Sequence, residues 1–140
     1  MGASSWRYIT PYDADLEVVV ARLRQQVFDN HDYYWPADPD SDSWEPEWPT
    51  TMADLTDADG THSILDITAV IGPGEPDGFG TLRPLTAAER QERFGTATPT
   101  RADFDRLRDD TAPRWSGHAV VLHDSAGQPT HVGIWGISGD

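Results

Sequence analysis

Residues 115–138 read WSGHAVVLHDSAGQPTHVGIWGIS. Two arms, Trp115 to His123 and His131 to Ser138, alternate or run apolar. Between them Asp124, Ser125, Ala126 and Gly127 are turn formers, so the stretch predicts a β-hairpin. The loop length leaves its register open. A slip of one residue would exchange the faces of Ile134 and Trp135, because successive strand side chains point to opposite sides.

The element that packs on this sheet lies near the other end of the chain. Leu16, Val19, Val20, Leu23 and Val27 recur at helical spacing and form one apolar stripe. Asp13, Asp15 and Glu17 favour the positive N-terminal end of such a helix, which runs from near Asp13 to about Asn30–Asp32. Three consecutive valines lower its intrinsic helicity, so it depends on packing against a sheet. Before it, Trp6 to Thr10 reads as a short strand with Trp6 and Tyr8 on one face and Arg7 and Ile9 on the other. Thr61 to Ile71 and Phe79 to Leu85 are the internal strand candidates, and Pro84 suggests a strand edge.

Thr86 and Glu89 form a capping-box pattern opening a short helix that Gly95 stops. Thr100 and Asp103 repeat the pattern for a second helix running to about Asp110, with Phe104 and Leu107 inward. The expected fold is α+β: a small, mostly antiparallel sheet packed on one long N-terminal helix, with two short helices and the C-terminal hairpin. At 140 residues this is one domain, able to bury a core without staples.

Composition narrows the function classes. With no Cys there is no disulfide, thiolate nucleophile or Cys-ligated zinc. Met1 to Thr10 has no basic start followed by an apolar run, and no apolar run reaches membrane length, so a soluble cytoplasmic protein without a secretory leader is expected. Net charge is −14. That disfavours direct binding to nucleic acid or anionic membranes and favours a basic protein partner or a cation. All ten basic residues are Arg, and none lies between Arg24 and Arg83. From Arg83 to Arg114 seven Arg mix with six acids, so charge is segregated along the chain.

The base-free run centres on a Pro-broken loop at about residues 31–50. Asp38, Asp40, Asp42, Glu45 and Glu47 alternate there with Trp35, Trp44 and Trp48. Asp38-Pro39-Asp40-Ser41-Asp42 begins like a calcium loop, but Ser43 replaces the turn-permitting Gly and Pro49 the bidentate Glu, so no metal site is assigned. Trp and Tyr faces beside carboxylates suit cations or sugars. Trp beside Pro also simply pins a loop, which is the favoured role for Trp44 and Trp48, and burial is favoured for Tyr33, Tyr34 and Trp35.

His31, His62, His118, His123 and His131 show no metal spacing. In a regular strand His118 and His123 point to opposite faces, whereas His123 and His131 flank the turn. Asp66, between Leu65 and Ile67, either faces solvent or sits in a pocket where burial would raise its pKa. Thr61-His62-Ser63 holds triad ingredients, yet strand neighbours point apart. The Gly72-Pro73-Gly74 region matches no phosphate motif, and no cofactor is expected.

The leading expectation is a non-enzymatic binding protein, of inhibitor or immunity type, docking a basic protein through Asp38, Asp40, Asp42, Trp44, Glu45, Glu47 and Trp48. The alternative is a small enzyme with a cleft between helix and sheet, using Asp66 with His62, His123 or His131 as acid and base.

Overall fold

The computed structural model describes residues 4–55, 60–108 and 112–139. It contains strands β1 (Ser4–Pro11), β2 (Ala69–Val70), β3 (Thr81–Pro84), β4 (Ser116–His123) and β5 (Pro129–Ser138). Helices are α1 (Leu16–Asp29), α2 (Ala87–Phe94) and α3 (Arg101–Asp105). The five strands form one sheet in the order β1-β5-β4-β3-β2. The fold is α+β, and its sheet is mixed. β1–β5 and β5–β4 are antiparallel, whereas β4–β3 and β3–β2 are parallel. It follows that β1, β2, β3 and β4 all run one way and only β5 runs against them.

The hairpin register is fixed by what each face must meet. His118 pairs with Trp135 and Ala119 with Ile134. Ile134 therefore joins Trp6, Val19, Leu23 and Ile64 in the core under α1. Trp135 faces the other way, into a second cluster with Phe104, Val120 and Leu122 beneath α3. Each such large side chain withdrawn from water contributes about 1.5–3 kcal/mol. Glycines let the rings approach the sheet. A Cβ on Gly136 would lie 2.3 Å from Trp6 Cζ2, and one on Gly133 would lie 2.7 Å from the Phe104 ring. β1 thus divides its side chains as its alternation requires: Trp6 and Tyr8 belong to the first cluster and Ile9 to the second.

α1 buries Val19, Val20, Leu23 and Val27, and Asp15 caps it by accepting from Glu17 N at 3.0 Å. Its C-terminus closes as a Schellman turn. His31 N donates to Phe28 O at 3.2 Å and Asp32 N to Val27 O at 3.0 Å. Both capping boxes form, at Thr86–Glu89 and Thr100–Asp103.

Three expectations change. Thr61–Ile71 is not one strand: Ile64–Asp66 is a 3₁₀ turn, and only Ala69–Val70 pairs in the sheet. Ser63 caps that turn through Leu65 N, and Asp66 turns back toward Thr61, so local side-chain bonds outcompete the strand ladder. α3 ends at Asp105, short of Asp110, and Asp109 to Thr111 lie outside the described residues. β3 lies between two strands. Yet Val70, the last residue of β2, pairs with Leu82, so Pro84 sits where β2 no longer needs an N–H.

Candidate functional site

The acidic loop has a fixed foot and an open tip. His31 occupies the left-handed region at φ 53°, which a non-glycine residue reaches at a cost of about 1–2 kcal/mol. Its ring stacks on Trp48 with centroids 4.2 Å apart and an interplanar angle of 7°. Tyr33 meets Trp48 edge-on at 5.2 Å and stacks on Phe28 of α1 at 6.1 Å. Trp35 donates its indole N–H to Glu47 O at 3.2 Å, joining the two limbs of the loop. Tyr34 N donates to Thr61 O at 2.8 Å, which ties the loop to the next segment. Tyr33 and Trp35 pack against the core, and Trp48 is half-buried.

Trp44 does the opposite: it is 92% exposed. Pinning therefore describes Trp35 and Trp48 but not Trp44, and Tyr34, expected buried, is 56% exposed. Asp38, Asp40, Asp42, Glu45 and Glu47 are all exposed beside Trp44 in sequence. Asp38 spends one oxygen on its own turn, accepting from Asp40 N at 2.9 Å. Among the described residues no cluster of three His, Cys, Asp or Glu side chains is placed to hold a metal. A further exposed aromatic, Phe79, packs on Trp115 at 5.4 Å.

Asp66 is a structural hub. Its Oδ1 accepts from Thr61 N at 2.7 Å and Thr61 Oγ1 at 2.8 Å. Its Oδ2 accepts from His62 N at 3.1 Å and Ser138 Oγ at 2.6 Å. Trp6 Nε1 in turn donates to Ser138 Oγ at 2.9 Å. Because Thr61 spends its proton on Asp66, Ser63 is the donor in the 2.7 Å bond between the two hydroxyls. The bond from His62 comes from its backbone, while the imidazole lies edge-on to Tyr34 at 5.4 Å. His123 and His131 lie at the other end of β5 from Ser138. That is about 20 Å from Asp66 at the rise of a strand. His131 Nδ1 contacts Thr130 Oγ1, and it is Leu122, not His123, that pairs with His131. A register shift after Leu122 breaks the alternation expected of His118 and His123, and the latter's Nδ1 sits 3.3 Å from Pro99 O.

Sequence reasoning missed a second polar cluster. Arg83 is buried on the α2 side of the sheet. Its guanidinium donates to Glu89 at 2.6 and 3.0 Å, to Asp77 at 3.1 Å and to Pro73 O at 3.1 Å. His118 Nε2 lies 3.0 Å from Asp77 Oδ1 and 3.2 Å from Arg83 Nη2. The hydrogen bonds from Arg83 hold Glu89 down at about 2, against the opposing effect of burial. At Asp77 burial opposes ionisation, but the bond from Arg83 and the nearness of His118 outweigh it and leave its pKa low. His118 is lowered chiefly by burial, against the pull of Asp77. The available signal was Arg83 itself, a cation between Leu82 and Pro84 at the end of the base-free run. Comparison with known protein families, with curated proteins and with solved structures finds no match for this chain.

Proposed function

We propose that this protein is a small acidic binding protein, of the inhibitor or immunity type, that docks a basic protein partner through the loop after α1. The observation that carries the reading is Trp44, held 92% exposed at the tip of a loop whose foot is fixed by ring contacts. A fixed foot lowers the ordering entropy of docking, and an exposed indole supplies the large apolar anchor that interface centres use. Asp38, Asp40, Asp42, Glu45 and Glu47 form the rim, which steers a cationic surface and sets the on-rate. Trp48 contributes from below by fixing the loop. The surface of a nuclease or another nucleic-acid-binding protein has the required charge.

The test uses three baits against proteins of the source cell: wild type, Trp44→Ala, and a variant with the five rim acids changed to their amides. Trp44→Ala is expected to weaken capture at least about tenfold, as for a buried anchor. The amide variant is expected to associate more slowly and lose its salt dependence. Equal capture of the same partners by all three baits ends the reading.

A further inference from the structure

The four co-directional strands end at one edge of the sheet, and there they do not end level. β3 stops at Pro84, paired with Ala119, whereas β4 continues to His123. β4 beyond Ala119 has therefore lost its β3 neighbour, and a notch opens in the sheet. The segment joining α2 to α3 forms its roof, where His123 N donates to Pro99 O at 2.8 Å. The notch is a cavity of about 450 Å³. That is within the range of about 300–1,000 Å³ usual for small-molecule sites. Ligands of open sheets with parallel strands bind in the crevice beyond the carboxyl ends of those strands.

Its lining sets the ligand's chemistry. Leu85, Val120 and Val121 give it an apolar floor, and Tyr12, Arg90 and His123 supply the polar groups. Arg90 is held by two carbonyls: Nη1 donates to Leu85 O at 3.0 Å and Nε to Ala97 O at 3.0 Å. Neither partner carries charge, and among the described residues no carboxylate pairs with Arg90. Arg83, seven positions earlier, is bonded to two carboxylates. The guanidinium of Arg90 is thus fixed in orientation, uncompensated, and has Nη2 left for an acceptor at an apolar cavity. In sequence, Arg90 belongs to the stretch from Arg83 to Arg114 in which Arg outnumbers acids, seven to six.

We infer that this notch binds a small carboxylate with an apolar body, its anionic group on Arg90 and its body on Leu85, Val120 and Val121. The site is separate from the acidic loop and stands or falls independently of it. Titration of the ¹⁵N-labelled full chain with benzoate, with neutral benzamide as control, tests the inference. Benzoate is expected to shift the amides of residues 84–90, 97–99 and 119–123 saturably, and benzamide to bind at least about tenfold more weakly. Arg90→Gln is expected to remove that preference and Arg90→Lys to keep part of it. Equal binding of benzoate and benzamide by the wild-type chain overturns the inference, as does the absence of saturable shifts in the notch. Either result is read without any variant, so a folding defect in Arg90→Gln leaves the test intact.

Discussion

Asp66 and Arg83 each anchor a polar centre made of at least four hydrogen bonds, but by different chemistry. Every donor to Asp66 is neutral: two backbone amides and two hydroxyls. Arg83 instead sits among ionised Asp77 and Glu89, a backbone carbonyl and an imidazole. The first centre satisfies one charge with dipoles. The second matches charge against charge beside the buried His118, so each partner depends on the others to justify its desolvation. The first centre should therefore be insensitive to added salt, and the second should not.

The largest expected effect comes from Arg83→Met, which leaves two carboxylates facing each other beside a buried ring. Urea denaturation should show a loss of about 3–5 kcal/mol. A loss below about 1 kcal/mol would make this an ordinary hydrated ion pair and erase the contrast. Asp66→Asn comes next. Its amide turns N–H groups toward donors that need an acceptor, at a cost of about 2–3 kcal/mol that should not change with added salt. If half-molar salt halves that loss, the centre is less neutral than its bonds indicate.

The smallest effect is the most specific. Glu89 has its folded pKa lowered from 4.5 to about 2, so its ionised form adds stability above pH 4.5 that is lost as pH falls toward 2. Glu89→Gln should therefore be destabilising by roughly 2 kcal/mol at pH 7, a value discounted for partial exposure. The gap from wild type should close between pH 4.5 and 2. A gap independent of pH would show that the side chain acts by shape alone. His118 adds an earlier acid sensitivity. Its pKa lies below 6.5 in the fold, so the unfolded chain takes up the proton first and stability falls as pH drops from that value.

The elements legible in the sequence are those whose signals are local. The Leu16–Val27 stripe, both capping boxes and the turn at Asp124–Gly127 depend on residues within a few positions of one another, and each forms. Asp66 was obscure because one of its donors, Ser138, is 72 positions away. The β-rich composition of 64–71 pointed to a strand, and that distant bond helps hold the segment in a tight turn. Trp44 and Trp48 look alike in sequence. Only Trp48 has His31 beneath it, because the Schellman turn sets that ring there. The notch was illegible because it arises from a difference in length between β3 and β4, strands whose pairing is not local.

The single reversed strand also sets the order of assembly. β5 lies between β1 and β4, yet it is the last of the five to leave the ribosome. β1, the first made of the five, must wait through some 120 residues of synthesis for its sheet neighbour β5, carrying Trp6 and Tyr8 on an unpaired strand. Closure of that contact is a long-range event, which slows folding and leaves a nascent edge open to other chains. The final ten-residue strand is thus the keystone, and the sheet becomes continuous only when it arrives.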